Sequence, residues 1–243
     1  LTERALQAPT EVLARKLSGK FTKEAGLDEN NEGDAEGIAD LNLLSTSLID
    51  GLKSANNPGE AVSGFDKIRK VAGGKGNPKD LLKSDEATEL TSVGILALAN
   101  LKANFQSSNE LQEYLVRLEK LSGKSKNARN FMNYLTNNFS TIFKGDLSKL
   151  PYLLGISKPK INAAMKGPRK EDQILTLVAN EVFPKSSEGK VEEVRDFLVA
   201  IHRRGGKMSI SQIAEFAFII ETDELENFAM KIAPEKKITK RAA

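Results

Sequence analysis

The stretch "VGILALA" (Val93–Ala99) is apolar over seven successive positions, so a helix built from it has no face suited to water. It lies in the middle of a predicted helix that runs from Asp85 to Phe105. A helix that is apolar on every side is typical of a segment buried at the centre of a protein. The run is also far shorter than the roughly 20 residues that a membrane span requires, so we predict no membrane span.

Apolar residues recur every three or four positions along most of the remaining chain, which is the spacing of amphipathic helices. The predicted helices span residues 10–23, 34–55, 110–123, 127–144, 171–182 and 189–204, with a short helix after Pro58 and a final pair begun by Ser209 and Thr222. No segment shows the sustained alternation of a strand. We therefore predict an all-α fold of roughly ten to twelve helices with short loops, forming one large helical domain or two small helical lobes.

We divide the chain into four parts by pattern and charge. They are an N-terminal helix or arm with an acidic loop (1–33), a helical core lobe (34–145), a C-terminal helical lobe (146–233) and a basic tail (234–243). Pro9 is expected to start the first helix, because proline suits a first helical turn. The residues before Pro9 and after Pro234 are predicted to be arms through which copies of the chain form a homo-oligomer.

The pentapeptide "KLSGK" occurs twice, at 16–20 and at 120–124. Glycine is the residue most often found just after the end of a helix. We interpret both copies as helix ends, with Gly123 the C-cap glycine of the second, and not as a sign of sequence duplication.

The composition excludes several kinds of chemistry. The chain has no cysteine, which rules out disulfides, thiolate metal sites and a cysteine nucleophile, and which is compatible with a reducing, intracellular location. His202 is the only histidine, so two-histidine metal sites are impossible. The 36 basic and 33 acidic residues give a formal charge of +3, which neither requires nor forbids a polyanionic partner.

Two motifs that resemble ligand sites are incomplete. The "GKS" at 123–125 has Leu118 where a phosphate-binding Walker A loop requires glycine. The loop that begins at Asp28 has Ala39 where a calcium-binding loop requires a bidentate glutamate. We therefore expect a non-enzymatic protein that uses no cofactor and no metal ion.

Basic residues collect at helix junctions that mostly contain glycine, namely 67–79, 120–129, 158–170, 202–207 and 236–241. Acidic residues collect elsewhere, at 24–40, 85–89, 188–196 and 221–226. Cationic side chains, accessible backbone N–H groups and helix N-termini together suit phosphate. The candidate nucleic-acid-binding residues are Lys75, Lys79, Lys124, Lys126, Arg129, Lys158, Lys160, Lys166, Arg169, Lys170, Arg203, Arg204 and Lys207. The alternative is that lysine, arginine and glycine stand there only because helix C-termini favour them.

The segment "LPYLLGISKPKINAAMKGPRK" (150–170) joins an apolar run to a basic one through Gly155. Ser157 can cap a second helix, and Ile161 stands where that helix would anchor to the first. On these residues the segment resembles the helix-turn-helix of small phage-repressor-like DNA-binding proteins. The resemblance implies that the second helix lies in the major groove, with Lys158, Lys160, Asn162 and Lys166 facing DNA.

Pro151 stands where that family usually has alanine, and it predicts a first helix of barely one turn. The alternative, which we favour, is that the segment is one more helical corner of a packed protein.

Two hypotheses from different classes remain. The first is a non-enzymatic, helical nucleic-acid-binding protein that contacts the phosphate backbone of RNA or DNA independently of sequence and self-associates as nucleocapsid proteins do. The second is a helical scaffold or adaptor that binds another protein in a groove lined by apolar helix faces.

Overall fold

The structure, a computed structural model, describes residues 3–53, 87–137, 147–185 and 191–232, which consist of helices joined by short loops. Those ranges hold eleven α-helices, two short 3-10 turns (Glu32–Asp34 and Leu147–Lys149) and no β-strand. The α-helices are α1 (Glu3–Ala25), α2 (Ala35–Lys53), α3 (Ala87–Lys102), α4 (Ser108–Leu121), α5 (Lys126–Asn137), α6 (Leu150–Leu153), α7 (Lys158–Ala164), α8 (Lys170–Val182), α9 (Val191–Arg203), α10 (Ile210–Ile219) and α11 (Thr222–Ile232). The predicted all-α fold is confirmed. The short helix predicted after Pro58 lies outside the described residues.

Helix α3 is the centre of the core, as its apolar sequence predicts. Its Ile95, Leu98 and Leu101 side chains are each no more than 1% exposed. Helices α2 and α11 make the most extensive contacts with α3, and α5 and α10 also pack against it. Residues from both sides of the predicted lobe boundary therefore share one hydrophobic cluster. The boundary itself remains a prediction.

A glycine allows α2 to approach α3 closely. A Cβ atom at Gly51 would lie only 3.0 Å from the backbone carbonyl carbon of Leu96, which is too close without a shift of one helix. A Cβ atom at Gly19, by contrast, would meet no atom within 4 Å, and Gly19 lies in the interior of α1. Gly51 is therefore required for packing, whereas Gly19 only carries the cost in helix stability that glycine has relative to alanine.

We expect Gly51→Ala to lower the free energy of unfolding by about 1–3 kcal/mol, because the added methyl group overpacks the α2–α3 contact. Gly19→Ala should raise it by about 0.5–1 kcal/mol, because alanine has the higher helix propensity and space is free. Urea unfolding followed by circular dichroism measures both. Equal effects of the two substitutions would contradict this description of the α2–α3 contact.

Helix α1 differs from the prediction at both ends. It begins at Glu3, so the residues before Pro9 continue the helix and Pro9 lies inside it, where its missing N–H removes one helical hydrogen bond. The first "KLSGK" also lies within α1, and its interpretation as a helix end is wrong. Buried Phe21 and Ala25 extend the apolar face beyond the motif. The glycine that follows the helix is Gly26, with φ of 70°.

The C-terminal pair of helices is attached to α3 by a lysine. Helix α10 begins with the predicted capping box, in which Ser209 and Gln212 each accept a hydrogen bond from the other's backbone N–H. At the C-terminal end of α10, the carbonyl oxygen of Ile220 accepts a hydrogen bond from Lys102 Nζ at 2.5 Å. The same nitrogen lies 5.6 Å from the ring centroid of Phe218. Burial lowers the pKa of Lys102 from its ordinary value. This lysine supplies a C-terminal cap from a distant part of the chain.

A half-buried ion pair connects α2 to α4. Arg117 donates from Nε and from one terminal nitrogen to the two carboxylate oxygens of Asp40, each at 3.0 Å. The Tyr114 hydroxyl donates to the Asp40 carbonyl oxygen at 2.9 Å, and burial raises the pKa of Tyr114 well above its usual value. The hydrogen bond to Asp40 raises the pKa of Arg117. Because the Asp40 side chain is only 7% exposed, its buried negative charge depends on Arg117 for stabilisation.

Arg117→Ala should lower the free energy of unfolding by about 2 kcal/mol, because it leaves the Asp40 carboxylate buried without its charged donor. Arg195→Ala is the matched control: both arginine side chains are 34% exposed, but the Asp196 partner of Arg195 is 70% exposed. We expect little change in the free energy of unfolding for the control, because an ion pair with an exposed partner contributes little. Urea denaturation distinguishes the two, and similar losses in both variants would contradict the role assigned to Asp40.

Within the described ranges, every helix is too short or too polar to cross a membrane.

Candidate nucleic-acid interface

Helices α8 and α9 form an antiparallel pair at the surface. Their apolar faces, which include Val178 on α8 and Leu198 on α9, are buried in the common core. Glu171 in the first turn of α8 lies beside His202 in the last turn of α9, with 3.3 Å between Oε2 and Nε2. Two of the predicted basic segments, 158–170 and 202–207, therefore meet at this end of the pair.

A surface groove of about 480 Å³ runs between α8 and α9. Its lining residues recur every three or four positions along each helix and are Arg169, Asp172, Gln173, Thr176, Arg195, Asp196, Val199, Ala200 and Arg203. Seven of the nine are polar or charged, so the groove is not an apolar slot for a partner helix. It is suited to a polar ligand.

The three arginines of the groove differ in whether they have an acidic partner. Arg195 donates two hydrogen bonds to the same Asp196 oxygen, at 2.9 Å and 2.8 Å, and that interaction raises the pKa of Arg195. The Asp172 carboxylate adds a further attraction to Arg195. Among the described residues, neither Arg169 nor Arg203 is in an ion pair. Both acids thus lie near Arg195, and Arg169 and Arg203 supply positive charge available to an anion.

The segment that leads into the groove has the turn that the sequence predicts. Helix α6 is four residues long with Pro151 in its first turn, Gly155 has φ of 73°, and the buried Ile161 anchors α7. The prediction of a first helix of barely one turn is confirmed. Lys160 Nζ lies 2.6 Å from Glu181 Oε1, which places the start of α7 beside the end of α8.

Charge along this segment has one sign. Residues 147–170 include six lysines and arginines and neither aspartate nor glutamate. Lys158, Lys166 and Lys170 are all exposed, and Arg169 immediately precedes α8 and lines the groove. The segment therefore carries an excess of positive charge from α7 to the groove, and Lys160 is paired with an acid of α8.

The remaining candidates are placed as follows. Arg204 and Lys207 are exposed just beyond α9, next to Arg203. Lys124 is exposed in the turn after α4, and Lys126 is the first residue of α5. Lys75 and Lys79 lie outside the described residues.

Arg129 has a local structural partner. Its guanidinium donates to the carbonyl oxygens of Ser122 and Gly123 at 3.0 Å and 3.3 Å, which caps the end of α4. Gly123 does not have a positive φ, so the expected glycine C-cap is absent there and the arginine provides the cap instead. The Met208 N–H donates to the Thr136 carbonyl oxygen, so the end of α5 lies near Lys207. The start of α5 is about 15 Å away along its axis. The structure therefore does not bring the 120–129 corner into the groove.

Sequence reasoning missed three residues of this region. Arg195 falls in a segment classified as acidic, although its spacing of eight from Arg203 places both on one face of a helix. Gln173 lines the groove beside Gly167, where a Cβ atom would lie only 2.1 Å from its amide nitrogen. Tyr152 is 51% exposed despite its apolar surroundings in the sequence.

In the described part of the chain no group of histidine, aspartate and glutamate side chains is arranged to hold a metal ion. Comparison of the chain with protein-family models, with curated proteins and with solved structures found no match.

Proposed function

We propose that this protein binds nucleic acid through the phosphate backbone, with the groove between α8 and α9 and the cationic segment 147–170 as its binding surface. The observation that supports the proposal best is the meeting of Arg169 and Arg203 in one groove, although 34 positions separate them in the sequence. Lys166 and Lys170 flank Arg169 on the same segment and are exposed. No enzymatic activity is part of the proposal.

Arginine suits this task because its planar guanidinium can donate two parallel hydrogen bonds to one phosphate group. Such contacts neutralise the backbone and release counterions, so the affinity depends strongly on salt and little on sequence. The carboxylates of Asp172 and Asp196 in the same groove offset part of the repulsion among its arginines, and neither forms an ion pair with Arg169 or Arg203 in the described part of the chain. The natural ligand is accordingly a polyanion of regular phosphate spacing, RNA or DNA.

Replacing Arg169 and Arg203 together by glutamine should weaken binding to a single-stranded oligonucleotide about 25-fold at 0.1 M salt, because two phosphate contacts are lost. The slope of log K against log salt should fall in magnitude by about 1.4. Fluorescence anisotropy titrations at four salt concentrations measure both quantities.

The matched control is Arg15→Gln with Lys16→Gln, which removes the same charge from exposed positions on α1, a helix that packs mainly on α2. We expect a change of less than about threefold, since only the long-range field is altered. Equal losses in the two double variants would mean that net charge and not the groove determines affinity. A wild-type affinity that does not respond to salt would remove the phosphate proposal.

Self-association in a nucleocapsid-like manner is the second element of the proposal. The feature that supports it is Val12, which is 49% exposed on α1 and is therefore available to a second copy. Sedimentation of the protein alone should give a mass of at least two times 26.5 kDa, and sedimentation with oligonucleotide should give such a multiple plus the mass of the bound strand. A single monomeric species under both conditions would remove self-association and leave the phosphate contacts standing.

The alternative function, a protein-binding scaffold, is favoured by the exposure of Tyr152 and Leu153, at 51% and 46%. The polar lining of the groove is unsuited to it. The absorbance ratio at 260 and 280 nm of protein purified at low salt without nuclease separates the two functions. A ratio typical of pure protein would favour the scaffold, and an elevated ratio would favour nucleic acid.

A further inference from the structure

We infer that the ring of Tyr152 is a stacking platform for an unpaired base, and that the preferred ligand is therefore single-stranded nucleic acid. The inference rests on the proposed function and goes beyond it, because phosphate contacts alone do not distinguish single strands from duplexes.

The ring of Tyr152 is presented by a rigid support. Its neighbours Leu150, Pro151 and Leu154 are buried against the core, which fixes the backbone of α6. Tyr152 itself is 51% exposed, and among the described residues its ring contacts no other aromatic ring and its hydroxyl makes no hydrogen bond. A large aromatic surface is thus held in solvent on a short helix, at a low entropic cost for any ligand that covers it.

The surroundings of the ring are cationic and open. Lys149 is exposed three residues before Tyr152 in a continuous helical segment, and so lies on the same side. Gly155 has no side chain, and a Cβ atom there would meet nothing within 4 Å. Lys158 follows the turn and is exposed. Residues 147–170 contain no acid, so the charge that this segment places around the ring is positive and complements a phosphate backbone.

The ring and the groove mark two ends of one path. The ion pair between Lys160 and Glu181 places the turn after α6 near the end of α8, whereas Arg169 stands at its beginning. The eleven residue steps from Lys170 to Glu181 correspond to about 17 Å. A strand that follows the exposed side of α7 therefore passes from Tyr152 across Lys166 to the groove.

Single strands suit this arrangement better than duplexes. A duplex keeps its bases stacked within the helix, where a half-exposed tyrosine on a protein surface cannot reach their faces. In single strands each base offers a π-face, and stacking on aromatic side chains contributes affinity with little dependence on sequence. A basic path with an aromatic residue at one end is the combination that single-strand-binding proteins use.

The test compares Tyr152→Ala, Tyr152→Phe and the neighbouring control Leu153→Ala, with circular dichroism confirming equal helix content. Three labelled probes of equal length are titrated: a mixed-sequence single strand, the same strand with abasic sites throughout, and a duplex. We expect Tyr152→Ala to weaken binding of the single strand about 5- to 150-fold and leave the salt slope unchanged. Tyr152→Phe and Leu153→Ala should stay within about threefold of wild type, and no variant should change binding of the abasic strand.

Other outcomes overturn the inference and are distinguishable from failure of the proposed function. Salt-dependent binding of all probes with no effect of Tyr152→Ala would remove the stacking role and leave the phosphate proposal intact. An equal loss on the abasic strand would assign Tyr152 a structural role. If Tyr152→Ala lowered the mass of the protein oligomer but left the affinity for the single strand unchanged, Tyr152 would be a contact between copies of the protein. Absence of binding to every probe by the wild-type protein would remove both proposals.

Discussion

The burial of helix α3 on every side is the constraint on which the rest of the structure depends. A helix with "VGILALA" at its centre must be covered all round, and α2 and α11, from distant parts of the chain, make its most extensive contacts. Closing the chain in this way brings α10 and α11 back toward the N-terminal helices. Phe183, at the end of α8, then packs on Phe228 of α11, with 5.5 Å between ring centroids, and so holds the α8–α9 pair on the core.

The packing of the helices around α3 determines where the helix ends, and the basic residues at them, lie on the surface. Basic residues favour helix C-termini for electrostatic reasons alone, and Arg129 illustrates that simple role because it caps α4. The start of α8 differs, since Arg169 precedes a helix with acid in its first turn and makes no ion pair in the described part of the chain. Arg203 shares the groove, so the proposed function assigns both to a ligand.

Much of the fold could be predicted from the sequence, because hydrophobic periodicity and capping residues act locally. The central helix, the capping box at Ser209 and the short α6 at Pro151 are examples. The N-terminal boundary of α1 could not be predicted, because proline favours the start of a helix whereas α1 continues through Pro9. The meeting of Arg169 with Arg203 also depends on tertiary structure. For Tyr152 a signal existed: the spacing of four between buried Leu150 and Leu154 places the tyrosine on the outer side of the helix.

The central claim is that a single strand lies along the cationic segment 147–170 and ends in the groove between α8 and α9. Ultraviolet crosslinking of the protein to a single-stranded oligonucleotide, followed by mass spectrometry of the digested complex, tests it most directly. The account predicts adducts on peptides from residues 147–170 and 195–207, and none on peptides from α1. Adducts confined to α1 and α2, or spread evenly over the exposed lysines of the whole surface, would contradict it.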